Sequence, residues 1–230
     1  MKYLIFIPAR GGSKGVKNKN LRKLKNNPLI FYSLKTAKQI SKKIPSDIFV
    51  STDSKKILNY CKKVVNLENY LRPKKFSSDK SNVIYSVFDC INYQKKKGKI
   101  YDAIILLQPT SPIRSTSEII KALTIFKDDK KKVSMMSVCK VREHPAEIIQ
   151  IRNKTKWKYL KQTNKNIYQK QQFEKNFYFI DGNFYICTIN FLIKNKCFVK
   201  NNISIPYITQ KKWPIDIDYI EDFKVAESFI

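Results

Sequence analysis

The chain has 230 residues, 43% of them hydrophobic, and carries 46 Lys and Arg against 18 Asp and Glu, a formal net charge of +28. That length supports one substantial core. Its apolar runs are too short to span a bilayer, its five scattered cysteines form no C-x-x-C pair for a disulfide framework or zinc site, and its single histidine, His144, excludes a multi-histidine metal cluster. The positive charge alone would suit nucleic acid. Yet the lysines are spread along the whole chain, and no helix-turn-helix, zinc-finger or RNA-recognition signature accompanies them, so a solvated basic surface explains them equally well. No signal peptide is evident, and the chain reads as cytoplasmic, with neither membrane nor nucleic acid as partner.

Residues 2–8 read as a buried first strand. Residues 28–41 carry apolar residues at helical spacing behind Pro28, which suits a first helical turn. A strand over 47–53 ends in polar residues, and a helix over 54–64 follows with Ser54 or Asp53 as its cap. A loop at 72–81 leads to a helix over 82–96. Residues 101–115 begin as a strongly apolar strand and break into a polar, proline-bounded loop. A helix over 116–127 and a strand near 133–141 come next. Residues 142–181 interrupt the alternation with Lys, Asn, Gln and aromatics and read as an inserted arm, after which 182–189 resumes a strand. Alternating strands and helices predict a single α/β domain, Rossmann-like and doubly wound around a mostly parallel sheet. Ligands of such sheets sit beyond the carboxyl ends of the strands, which gathers the loops "ARGGSKG", "STDS" and "QPTSP" on one edge.

Two stretches carry chemistry. In "IPARGGSKGVKNKNLR" (7–22), glycines let backbone N–H groups approach a ligand, and Arg10, Lys14, Lys17, Lys19 and Arg22 surround the turn with positive charge, a pattern that suits a polyphosphate. A tight strand-to-helix turn with solvated lysines is the plainer alternative. Neither the P-loop nor the dinucleotide fingerprint is present. In "PIDID" (214–218), a strand would turn Ile215 and Ile217 inward and set Asp216 beside Asp218 on the other face. Adjacent carboxylates repel unless a cation compensates them, and Mg²⁺ with a nucleoside triphosphate is the fitting one. The alternative is an exposed strand face with Asp218 capping the next helix.

Taken together, "IPARGGSKGVKNKNLR", "VSTDS", "LRPKKFSSDKS", "LLQPTSPIRS", "DGNFYI" and "IDIDYIEDFKVAE" resemble the CMP-sialic acid synthetase (acylneuraminate cytidylyltransferase) family, in family order from residue 4 to 227. The resemblance implies the nucleotide-diphospho-sugar transferase type of fold. The reaction it implies is attack by the anomeric hydroxyl of a 2-keto-3-deoxy sugar acid, sialic acid or a related nonulosonic acid, on the α-phosphate of CTP. By the same resemblance Arg10, Gly11, Gly12, Ser13, Lys14, Lys19, Asn20, Arg72 and Gln108 bind the nucleotide, with Arg10 and Lys19 catalytic. Gln108, Thr110, Ser111, Lys170 and Phe198 face the sugar, Phe198 having a core role as its alternative. Asp216 and Asp218 hold Mg²⁺, and residues 142–181 form a homodimerisation arm that places Lys170 near the partner's pocket. The same fold serving another sugar or nucleotide is the second expectation.

The chain departs from the family on the sugar side. Lys170 stands for a family arginine, Tyr178 or Phe179 for a second one, and Asp181 for the usual asparagine. Lysine does not replace arginine at a bidentate contact.

Overall fold

The computed structural model describes residues 1–13, 15–78, 81–128, 132–151, 156–160, 177–210 and 213–230. In chain order the elements are β1 (Tyr3–Pro8), a two-residue hairpin of β2 (Lys23–Leu24) and β3 (Asn27–Pro28), α1 (Leu29–Ser41), β4 (Ser46–Ser51), α2 (Lys55–Val64), α3 (Val83–Lys96) and β5 (Ala103–Leu106). Then come α4 (Thr116–Asp128), β6 (Ser134–Lys140), β7 (Ile149–Ile151), β8 (Trp157–Tyr159), β9 (Tyr178–Thr188), α5 (Ile189–Asn195), β10 (Ile205–Ile208) and α6 (Ile220–Glu227).

Six strands form the central sheet in the order β10-β6-β9-β5-β1-β4. β1 runs parallel to β4 and β5, and β10 parallel to β6. β9 lies antiparallel between β5 and β6. Side chains alternate across the sheet, as a period of two requires. In β1, Ile5 and Ile7 face α1, α2 and α4, where Leu34, Ile57, Ala122 and Phe126 pack. Leu4 and Phe6 face the other layer, against Val87 and Cys90 of α3 and Leu192 of α5. The expected mostly parallel, doubly wound sheet is therefore present, with helices on both faces.

Each helix start has a local cause. The Ser54 hydroxyl accepts the Ile57 N–H at 3.4 Å, Asn82 Oδ1 accepts from Ile84 at 3.0 Å, and Thr188 Oγ1 accepts from Phe191 at 3.1 Å. Ser54, then, caps α2, and Asp53 is free for another task. At the far end of the chain the expected 214–218 strand does not form: residues 213–218 are extended but unpaired with any strand, although the alternation survives in buried Ile217 between exposed Asp216 and Asp218. Ile217 instead joins Val16, Leu24, Leu29, Phe223 and Ala226 in a small third core that ties the C-terminal segment to the loop after β1. Within the arm, β7 and β8 pair antiparallel and their residues are exposed.

Candidate functional site

The loops that follow β1 and β5, the stretch from Arg72 into α3 and the C-terminal segment meet at the carboxyl edge of the sheet and wall a cleft of about 510 Å³. Its lining includes Arg10, Ser13, Lys19 and Asn20 from the first loop, Arg72 with Phe76 and Ser81 from the segment between α2 and α3, and Ser86 from α3. Gln108, Pro109 and Thr110 come from the loop after β5, and Asp218 and Tyr219 from the C-terminal segment. Four stretches far apart in sequence converge because three parallel strands end side by side and the third core pulls the fourth stretch over them.

Backbone and side-chain bonds hold the walls in register. Asn20 is buried, and its amide donates to the Arg10 carbonyl at 2.9 Å, so it braces the loop that presents Arg10. Gly11 donates its N–H to Asp53 Oδ1 at 2.7 Å. That N–H is spent inside the protein, which corrects the expectation that it cradles phosphate. Gly12 is exposed and, like Gly11, does not line the cleft. Gly15 is required for a different reason. A Cβ there would lie 2.3 Å from the Asp218 carbonyl oxygen, so the first loop and the C-terminal segment touch backbone to backbone. Lys19 fastens the same junction, donating from Nζ to the Ile217 carbonyl at 2.7 Å and to Asp218 Oδ1 at 3.2 Å. Ile217 N–H donates to Thr110 O at 2.8 Å, closing the ring of walls.

Arg72 is buried, with Nε on the Ser51 hydroxyl at 2.9 Å and Nη2 on the Ser51 carbonyl. Burial lowers its proton affinity, nearby Asp53 raises it, and the like charge of Arg10 lowers it again. Two guanidinium groups, with acids nearby, thus bear on each other in one cleft.

The carboxylates divide. Asp218 lines the cleft; Asp216 is exposed beside it and does not. The α6 cap falls to Asp222, whose carboxylate accepts the N–H groups of Asp218 and Tyr219, each at 2.7 Å, so the Asp218 side chain is not the cap. Gln108 and Thr110 line the cleft as expected, but Ser111 is buried behind the loop. Phe198 is a correction: it is 8% exposed, packs 6.1 Å from the Tyr185 ring and belongs to the second core, away from the cleft lining. Tyr178 and Phe179 are exposed at the start of β9. Lys14 and Lys170 lie outside the described residues.

Sequence reasoning missed Arg114, although it stands inside the quoted "QPTSPIRS". Its guanidinium donates to the Asn183 carbonyl at 2.5 Å, to Ser33 Oγ at 2.9 Å and to the Gln108 carbonyl. The signal was an arginine a few residues beyond a fully apolar strand, where a charge needs internal partners.

Residues 4–229 match the model of a family described as Cytidylyltransferase. The chain is 30% identical over 238 residues to the CMP-N,N'-diacetyllegionaminic acid synthase of Legionella pneumophila, spanning 100% of this chain and 97% of that protein. It is 26% identical over 227 residues to the pseudaminic acid cytidylyltransferase of Campylobacter jejuni, spanning 99% and 95%. Among solved structures it resembles a CMP:2-keto-3-deoxy-manno-octonic acid synthetase complexed with CTP, at a TM-score of 0.70 and 14% identity over 100% of this chain and 98% of that one. At that identity the likeness shows the fold.

Proposed function

The chain belongs to the cytidylyltransferase family, and we propose that it transfers CMP from CTP to a 2-keto-3-deoxy sugar acid of the nonulosonic class. The observation that carries the reading is one cleft at the carboxyl edge of the sheet that gathers Arg10, Lys19 and Arg72 beside Gln108 and Asp218. The names of the Legionella and Campylobacter relatives support both substrates. The volume, about 510 Å³, suits a ligand of nucleotide size.

The sugar hydroxyl gives up its proton to water as its oxygen forms the new bond to the α-phosphorus, the bridging P–O bond breaks, and pyrophosphate leaves with the electron pair. In-line displacement of this kind needs positioning and charge neutralisation more than covalent help from the protein. Arg10 and Arg72 neutralise the triphosphate. Lys19 holds the Asp218 carboxylate in place through a 3.2 Å contact. Gln108 and Thr110 offer polar groups to the acceptor on the opposite wall.

The donor set fits Mg²⁺. Asp218 and Asp216 are hard oxygen donors next to the anion site, and no group of three His, Cys, Asp or Glu gathers among the described residues. A cation that takes one or two carboxylates and completes its shell with phosphate oxygens and water matches that supply. When bound, it would add charge neutralisation at the phosphates.

A homodimer is part of the same reading. Ile151, Trp157, Tyr159, Leu160 and Phe179, on the arm and the start of β9, are exposed large apolar or aromatic residues, and in homodimers the same surface commonly meets itself across a two-fold. Light scattering at micromolar concentration is expected to give twice the chain mass; a strictly monomeric, fully active enzyme would refute the dimer. No helix among the described residues is long and apolar enough to cross a membrane.

The test of the function is pyrophosphate release with CTP, ATP, GTP and UTP, each against sialic, legionaminic and pseudaminic acids and an eight-carbon relative. Release that needs CTP and one nonulosonic acid is expected. Equal rates with another nucleotide, or none with any acid, would overturn the reading.

A further inference from the structure

The pairing of β6 with β9 slips in the middle. Met136 pairs with Tyr185, but Val138 pairs with Ile180, so Asp181–Phe184 stand opposite Ser137 alone. Bulges of this kind re-aim side chains and often border active sites. This one is organised by a carboxylate. Asp181 is 3% exposed and accepts from Asn183 N–H at 3.0 Å, Asn183 Nδ2 at 2.6 Å, Thr209 Oγ1 at 2.9 Å and the Ser137 hydroxyl. Those bonds reach β6, the bulge itself and the residue after β10. A buried carboxylate needs a compensating charge as well as hydrogen bonds.

Arg114 supplies it. Burial lowers its guanidinium's pKa to about 9, against the opposing pull of Asp181 and Asp216, so it stays cationic at neutral pH. Its three bonds tie the bulge through Asn183 O, α1 through Ser33, and the cleft wall through the Gln108 carbonyl. Between Asp181 and Asn183 sits Gly182 at φ +66°, where a Cβ would come 3.1 Å from Ser111 Oγ and 3.7 Å from Gln108 Oε1. The bulge therefore leans directly on the loop that forms one wall of the cleft. The bonds that hold the clip run to Asn183, Ser33 and Gln108, while Arg72 is held separately by Ser51.

We propose that Arg114 and Asp181 are positioning residues for the acceptor sugar: together they lock the Asp181–Phe184 bulge against the Gln108–Ser111 loop and so set the acceptor end of the cleft. The proposal rests on the reading of that wall as the sugar side. It also accounts for an aspartate where the resemblance leads one to expect asparagine, because the extra charge matches the half-buried arginine behind the wall.

The experiment is steady-state kinetics of Arg114→Lys with CTP and the preferred sugar acid varied separately, beside calorimetric titration of CTP alone. Lysine keeps the charge but donates from one nitrogen, and cannot span the three acceptors that Arg114 reaches with Nε, Nη1 and Nη2. The expected result is a rise of ~10-fold or more in KM for the sugar acid, with KM and affinity for CTP within ~2-fold of wild type. If Arg114→Lys does not fold, Asp181→Asn decides by the same criterion, with a rise of ~3-fold expected from the loss of charge matching alone. An unchanged sugar KM, or equal rises for both substrates, overturns the proposal while wild-type turnover leaves the functional reading standing. A wild type that releases no pyrophosphate with any nonulosonic acid sinks that reading and the proposal with it.

Discussion

The two ends of the sheet treat positive charge in opposite ways. At the amino edge, cations are matched to acids: Lys2 lies 3.3 Å from Asp47, and Lys97 and Lys99 lie 2.7 Å and 2.8 Å from the two oxygens of Glu68. Tyr101 adds a 2.7 Å hydrogen bond to Asp47. At the carboxyl edge, Arg72 is buried on the neutral Ser51, and its neighbour across the cleft is another arginine. Asp53, the nearby acid, gives an oxygen to the Gly11 N–H. The carboxyl edge has a lysine–carboxylate pair too, Lys19 with Asp218 at 3.2 Å, but it adds two guanidinium groups that line one cleft, a surplus of positive charge that suits an anion. The difference separates charge that serves stability from charge that serves binding, and substitutions at each edge should divide the same way.

The largest effect is expected at Asp218. It lines the cleft, Lys19 holds it, and on the proposed reading it is the carboxylate best placed for Mg²⁺. Asp218→Asn keeps the shape and removes the charge. Turnover should fall on the order of 10³-fold, beyond the range for outer-shell partners of a metal, with circular dichroism unchanged. Near-normal turnover at limiting Mg²⁺ would remove Asp218 from the metal set. Asp216→Asn is the companion variant: a loss as deep would bring that exposed carboxylate into the site.

Arg10→Ala comes next. It removes one of the two opposed cations and should cost about 3 kcal/mol of transition-state stabilisation, the scale of one charge-assisted donor in a preorganised site. A rate constant unchanged at saturating CTP would mean that Arg10 binds nothing that develops charge.

Gly15→Ala tests the junction behind that cleft. A methyl group 2.3 Å from a backbone oxygen has no flexible neighbour to displace, so the loop or the C-terminal segment must shift. Overpacking of this kind costs roughly 1–3 kcal/mol. The expected signature is a lower melting temperature and weaker CTP binding together. Full CTP affinity would show that the loop after β1 adapts without moving Asp218.

How far these regions were legible in the chain follows the same division. Alternation of strand and helix patterns, and the loop from Arg10 to Arg22, announced the sheet and its active edge, because local periodicity and glycine placement are written in consecutive residues. Asp216 and Asp218 were legible as a pair but not as an unpaired segment, since the bond that seats them, Ile217 to Thr110, joins residues far apart. Arg114 and Asp181 were legible only as residue types. Their roles depend on β9 entering antiparallel between β5 and β6, and on the four-against-one bulge, which no local pattern encodes. For Phe198 an aromatic near a sugar site and an aromatic in a core look alike in one sequence, and the structure places it in the second core, the alternative given for it.

The smallest expected effect lies at the amino edge, and its sign can be worked out. Burial opposes the charge on Glu68, but hydrogen bonds and fields from Lys97 and Lys99 outweigh it and hold the carboxyl down to about 2. In the unfolded chain a glutamate titrates near ~4.3. A folded value below the unfolded one means that the contribution to stability is complete above the unfolded value and is lost as pH falls toward the folded one. Both lysines are largely exposed, so screening keeps the gain small. Glu68→Gln should therefore lower the urea midpoint at pH 7 by only about 0.2 M. The gap should narrow as the pH is taken from 5 to about 2, and with added salt. Pyrophosphate release should not change, since neither Glu68 nor its lysines line the cleft. A gap that widens in acid would mean that Glu68 is held by something other than its lysines. A loss of turnover would mean that the two edges are coupled through the sheet, and the division between structural and binding charge would fail.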